Sequence, residues 1–170
     1  MAFKTGDAVV HPIRGAGVVE WVEERRWRGD CDVYYKINLL GQPGTKVMIP
    51  QDAAEQIGLR PAISRAKLKD VWGVLSDDPE KLPTDHKVRY KVLEEKLHTG
   101  DVFELAEAVR DMAWRRQEKG HLTTTGRRLY DEGVKLLAGE VAAVQGVDVV
   151  DAEVQVKTRL KEGLEVAAAI

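Results

Sequence analysis

Two different spacings of apolar residues divide this chain near residue 60. Before that point the apolar residues come in short runs separated by turn-forming residues. Ala8-Val9-Val10 follows Gly6-Asp7, Val18-Val19-Glu20-Trp21-Val22 follows Gly15-Ala16-Gly17, and two further runs cover residues 33–40 and 45–49 on either side of Gly41-Gln42-Pro43-Gly44. Short apolar runs bounded by glycine, proline and aspartate predict strands joined by tight turns. The charged stretch 23–32 reads as one of those turns, and Trp21, alternating with the valines of its run, is expected to pack inward. Four or five such strands bury their apolar side best as an antiparallel sheet curled into a small barrel. A module of this size makes a small core, so it is expected to lean on the rest of the chain.

After Pro61 the spacing becomes helical. Leu68, Val71, Trp72 and Leu75 share one helical face, and Asp77-Asp78-Pro79 stops that helix. Pro83-Thr84 opens a second helix carrying Tyr90, Leu93 and Leu97, which Thr99-Gly100 ends. Asp101 with Glu104 has the spacing of a capping box. The stripe Val102, Leu105, Ala106, Val109, Met112 and Ala113 follows, up to a C-terminal stop at Gly120. Trp114 falls about a third of a turn off that stripe. Leu129, Gly133, Leu136, Leu137, Val141 and Val144 mark a fourth helix, and a weaker stripe predicts a fifth over about residues 148–166. The fold class expected is α+β: an N-terminal antiparallel β-barrel over residues 1–58, then a compact all-α domain over residues 62–170.

Composition narrows the function. With 26 Lys and Arg against 28 Asp and Glu, the net charge is -2, so contact with nucleic acid would need a local basic patch. The single cysteine, Cys31, excludes an internal disulfide, and its neighbours Asp30 and Asp32 would suppress a thiolate. Nucleotide-loop, zinc-protease and serine-hydrolase motifs are absent, and His11, His86, His98 and His121 lack metal-ligand spacing. Adjacent carboxylates at Asp77-Asp78 and Glu94-Glu95 do not face each other on a helix. The expectation is a binding protein rather than an enzyme, with no cofactor and no small-molecule ligand. It is also expected to be cytoplasmic, because the sequence has no apolar run long enough to cross a membrane.

Three basic features remain. Arg25-Arg26-Trp27-Arg28 follows the second strand and combines residue types enriched at protein–protein hot spots, with a solvated turn as the alternative. His86-Lys87-Val88-Arg89-Tyr90-Lys91 opens a helix, where cations and free backbone amides together suit phosphate; an ordinary charged helix face is the alternative. Arg127-Arg128, at another helix start, would extend the same patch. Arg115-Arg116 lies late in its helix, where positive charge suits the helix dipole.

The order of these features resembles the CarD/CdnL family of bacterial transcription regulators. The residues that carry the resemblance are Phe3-Lys4-Thr5-Gly6-Asp7 with Val9-Val10-His11-Pro12, Gly15-Ala16-Gly17, Tyr34-Tyr35-Lys36-Ile37, Val47-Met48-Ile49-Pro50 and Ile57-Gly58-Leu59-Arg60. In the second half they are Pro83-Thr84, Arg89-Tyr90-Lys91, Leu97-His98-Thr99-Gly100-Asp101, Val109-Arg110-Asp111 and Gln117-Glu118-Lys119-Gly120. The resemblance fades after about residue 146.

The resemblance implies that the barrel is Tudor-like and docks on the β subunit of RNA polymerase. It implies that the helical domain lies on promoter DNA at the upstream edge of the melted bubble, stabilising the open complex, above all at ribosomal RNA promoters, and so associates with the nucleoid. By position, Arg25 matches a family arginine that contacts the β subunit. Met48 stands where the family often has a second arginine, so Lys46, Val47, Met48 and Ile49 are the candidate docking edge. His86, Lys87, Arg89, Lys91, Arg127 and Arg128 are the candidate DNA contacts. His86 occupies the place of a tryptophan that wedges into the minor groove, and Val88 replaces a basic residue, so weaker DNA contact is expected. The competing expectation is a divergent protein–protein adaptor on the polymerase with little DNA contact.

Overall fold

The computed structural model describes residues 2–169. The first part is a five-stranded antiparallel sheet built from β1 (Ala8–His11), β2 (Gly15–Trp27), β3 (Asp30–Leu39), β4 (Lys46–Pro50) and the two-residue β5 (Arg60–Pro61). A short helix, α1 (Gln51–Ile57), separates β4 from β5. The rest is helical: α2 (Arg65–Ser76), α3 (His86–His98), α4 (Val102–Lys119), α5 (Thr124–Gln145) and α6 (Val149–Ala168).

The strand order is β4-β3-β2-β1-β5, so the sheet curls but its outer strands do not meet. Its inner face carries Val9, Val19, Tyr35, Ile37, Leu39 and Ile49, which pack with Phe3, Ala54 of α1 and Leu59. α1 was not foreseen in the sequence; it buries Ala54 and ends at Gly58 in the left-handed conformation. β5 pairs Val9 with Pro61 and Val10 with Arg60, so the expected junction between the two parts is itself a strand of the sheet.

The stretch expected as a charged turn, residues 23–32, is instead a continuation of the ladder. Arg25 pairs with Asp32, Arg26 with Cys31 and Trp27 with Asp30. The turn shrinks to Arg28 (φ 51) and Gly29 (φ 90), the two positive φ angles of a type I′ hairpin whose twist matches its strands. The hairpin therefore projects from the sheet, with Trp27 at its tip 73% exposed.

A second departure is local. Trp21 should share the inward face with Val19, two residues before it. A bulge between them inserts Glu20 and shifts the register, so Val19 opposes Ile37 while Trp21 opposes Lys36. Val19 is fully buried and Trp21 is 43% exposed, with the Lys36 ammonium 4.0 Å from its ring centre.

The helix boundaries follow local chemistry. Ser64, Asp85, Asp101 and Thr123 cap their helices by accepting from Lys67, Val88, Phe103 and Gly126 backbone N–H groups respectively. Leu75, Leu93, Leu97, Val109, Leu129 and Leu137 lie in one helical core, with Trp72 packed at its edge under the Arg159 guanidinium.

The two parts meet where β5 enters the helices. Arg60 donates from Nη1 and Nη2 to the two carboxylate oxygens of Glu140 on α5, at 2.7 and 2.8 Å. Its Nε donates to the Gly100 carbonyl at 2.6 Å, and the Ile63 backbone N–H also donates to Glu140, at 3.1 Å. Glu140 is 1% exposed, so this paired charge is shielded from water. Beside it, Gly15 at φ 88 lies under Leu136; a Cβ there would stand 3.1 Å from the leucine methyl.

Removing one partner of a buried, hydrogen-bonded ion pair costs about 3–5 kcal/mol, because the other charge stays desolvated. Arg60→Ala, which strands the buried Glu140 carboxylate, is therefore expected to lower unfolding stability by about 3 kcal/mol in urea denaturation. A loss below about 1 kcal/mol, the range of exposed pairs, would show that the clamp does not hold the two parts together.

Candidate functional site

Two surfaces of different chemistry take shape on this framework. The first is the free edge of the sheet at β4 together with the outer face of β2 and β3. An edge strand keeps one row of backbone N–H and C=O groups without a partner strand, which suits strand addition by another chain. Along that edge the side chains alternate. Ile49 is 3% exposed and belongs to the core, and Val47 packs against the same core. These two expected contact residues can offer only backbone to a partner, because the pleat turns their side chains inward.

Met48 opposes Lys36 on the outer face, and Lys46 Nζ donates to Glu20 Oε1 at 2.9 Å. Arg25 lies further along the same face, 5.9 Å from the Tyr34 ring centre and 3.3 Å from Glu23. Trp21, Tyr34 and Lys36 complete this surface and were missed as site residues. The bulge hid Trp21, but the inward alternation of Tyr35 and Ile37 could have pointed to Tyr34 and Lys36.

The second surface joins the starts of α3 and α5. His86, Lys87 and Lys91 are exposed on α3, and Arg127 and Arg128 are exposed on α5. The Tyr90 hydroxyl bonds the Thr123 hydroxyl that caps α5, so the two helix starts are tied side by side. Arg128 reaches Glu94 of α3 and Glu132 of its own helix, at 3.7 and 3.5 Å. Val88 N–H donates to Asp85, which holds the Asp85 carboxyl below its ordinary range.

Arg89 departs from expectation. It is 5% exposed, and its Nη1 donates to the Pro83 and Thr84 carbonyls at 3.1 Å each. A guanidinium committed to two carbonyls braces the entrance of α3 and does not present itself to phosphate. Sequence reasoning placed it with the surface cations because of its charge, although its place four residues before Leu93 and eight before Leu97 puts it on the buried stripe.

Two further buried charges do related work. Asp111 Oδ1 accepts from the Glu80 backbone N–H at 3.0 Å and from Arg110 Nε at 2.9 Å, while Arg110 Nη1 donates to the Val74 carbonyl at 3.3 Å. Together with Arg89 they fasten the irregular segment 77–85 that delivers His86. Arg116 stacks 4.7 Å from the Tyr130 ring centre. Among the described residues, no cluster of His, Cys, Asp and Glu could hold a metal, and no helix is long and apolar enough to cross a membrane.

Comparison with known proteins bears on both surfaces. Residues 3–63 match the family described as "CarD-like/TRCF RID domain", and residues 70–157 match "CarD, C-terminal domain". Over 145 residues the chain is 30% identical to the protein named "Putative transcription factor YdeB" of Bacillus subtilis (strain 168), covering 85% of this chain and 94% of that one. The chain belongs to the CarD family. Membership assigns this CarD protein to transcription regulation, and the match to the RID description ends at residue 63, just past β5.

Burial holds the Asp111 carboxyl above its ordinary range, and the hydrogen bonds from Arg110 and Glu80 only partly offset this. A carboxyl with a raised pKa contributes most below its unfolded value and loses that contribution as pH rises through its folded value. Asp111→Asn keeps an acceptor but does not titrate. Its stability relative to wild type is expected to improve as pH rises through the carboxylate range. Denaturation curves in which the variant loses ground over that range would contradict this assignment.

Proposed function

We propose that this CarD protein docks the β4 edge and outer face of its sheet on the β subunit of RNA polymerase. The starts of α3 and α5 then lie against promoter DNA at the upstream edge of the melted bubble, and the contact stabilises the open complex. The observation that carries this reading is the separation of the two surfaces on one clamped framework. A backbone edge flanked by Trp21, Arg25, Tyr34 and Met48 suits a protein, while exposed Lys87, Lys91, Arg127 and Arg128 suit phosphate.

The energetics fit an auxiliary contact. A few phosphate contacts give weak, salt-sensitive affinity. Docking on the polymerase raises the local concentration of DNA enough to make such a contact count. Each roughly 1.4 kcal/mol gained would lengthen open-complex lifetime about tenfold. His86 offers less stacking area than a tryptophan, and the burial of Arg89 removes one cation, so both lower the expected DNA contribution. The same two features favour the alternative reading, an adaptor that joins the polymerase to a second protein. Open-complex lifetime on a ribosomal promoter, with and without the protein, separates the readings: a longer lifetime supports the first, and an unchanged one supports the adaptor.

Two substitutions test the surfaces separately. Arg25→Glu puts a second carboxylate beside Glu23 and is expected to abolish capture of the polymerase β subunit with circular dichroism unchanged; undiminished capture would refute docking through this face. Lys87→Glu combined with Lys91→Glu is expected to shorten the open-complex lifetime about tenfold while leaving polymerase capture intact. An unaltered lifetime would remove α3 from the DNA contact.

A further inference from the structure

The boundary between the sheet and the helices holds an open groove of about 640 Å³ that the docking edge and the α3 patch do not use. One wall is the β1–β2 turn with Arg14; the other is the face of α5 with Arg127, Asp131 and Lys135; Gly15, Ala16, Leu136 and Gly139 form the floor. Arg14, Arg127 and Lys135 are exposed, and among the described residues none of them forms an ion pair. Of the acids beside them, Glu132 is engaged by His98 and Arg128, while Asp131 stands between Arg127 and Lys135 on α5.

We infer that this groove continues the phosphate-binding surface from the helical part onto the sheet, so that duplex DNA is held by Arg14 as well as by α5. This rests on the DNA-contacting reading above and extends it to residues that reading does not include.

Three observations carry it. First, Arg127 and Lys135 lie on one face of α5 about 12 Å apart at 1.5 Å rise per residue, comparable to the width of a DNA groove between its phosphate ridges. Second, Arg14 is not on a loose loop. His11 Nδ1 accepts from the backbone N–H groups of Ile13 and Arg14, each at 3.1 Å, and so shapes the turn that presents the arginine. Third, the sheet is tied to α5 beside the groove, because Arg60 of β5, the strand paired with β1, forms an ion pair with Glu140 on the same helix that carries Arg127. Its open mouth and its floor of glycine, alanine and leucine offer no inward-pointing buried polar group to recognise a small anion. A long phosphate ridge suits it better than an enclosed ligand.

The test is binding of the full chain to a fluorescein-labelled duplex by anisotropy at several salt concentrations. Each phosphate contact contributes about 0.9 to the slope of log affinity against log salt. Arg14→Ala with Lys135→Ala is expected to lower that slope by about 1.8, comparable to the effect of Lys87→Ala with Lys91→Ala. Asp131→Asn, which removes the acid between the α5 cations, is expected to tighten binding. If the Arg14/Lys135 variant matches wild type in slope and affinity while the Lys87/Lys91 variant falls, the groove is not part of the DNA surface and the α3 contact stands. If the wild-type chain itself shows no salt-dependent binding, the DNA-contacting reading fails and this extension fails with it.

Discussion

The architecture depends on one guanidinium–carboxylate pair. Glu140 is shielded from water where the helices meet the sheet, and an unpaired carboxylate there would be prohibitively costly. It is tolerated because Arg60 meets it with two parallel hydrogen bonds and the Ile63 backbone adds a third. Arg60 is also a residue of β5, so the charge requirement of a helix is met by a strand of the sheet. Neither part can rotate on the other without leaving a buried charge bare. α5 carries this constraint along its length: from Glu140 back to Arg127 is about 20 Å of straight helix, so the clamp at one end sets where the cations at the other end stand. The proposed role, docking with one part and contacting DNA with the other, would depend on such a fixed offset.

The remaining buried charges serve the same purpose at shorter range. Arg89, Arg110 and Asp111 all bond to backbone groups in or beside the segment between α2 and α3, which has no regular structure of its own. Hydrophobic side chains could fill that volume as well, but they would not specify the path of a loop whose carbonyls and N–H groups need partners. The path matters because it decides where α3 begins, and therefore where His86, Lys87 and Lys91 point.

On the sheet the corresponding device is a single inserted residue. The bulge at Glu20 reverses the inward–outward order of β2 beyond it, so that Val19 closes the core and Trp21 joins Lys36, Tyr34 and Met48 outside. The same strand then runs past the body of the protein as a hairpin with Arg25 on its flank and Trp27 at its tip. An exposed tryptophan and an arginine beside an open sheet edge are costly features for a free protein. They are understandable where a partner covers them.

Local chemistry determined much of this protein from the chain alone. The shift from short apolar runs to helical stripes near Pro61, the cap at Asp101 and the stops at Asp77 and Gly120 are all written within a few residues, because capping and periodicity are short-range effects. The exposed cations of α3 and α5 were legible for the same reason. Arg89 was misplaced despite its i, i+4, i+8 spacing with Leu93 and Leu97, because the backbone carbonyls that let a guanidinium sit on that stripe come from the irregular segment before the helix. Nor could the chain declare that residues 23–32 continue a ladder, that Trp21 changes face, or that Arg60 and Glu140, far apart in sequence, would share a desolvated site. Those outcomes depend on which surfaces meet, and only tertiary packing decides where water is excluded and which charges must therefore find each other.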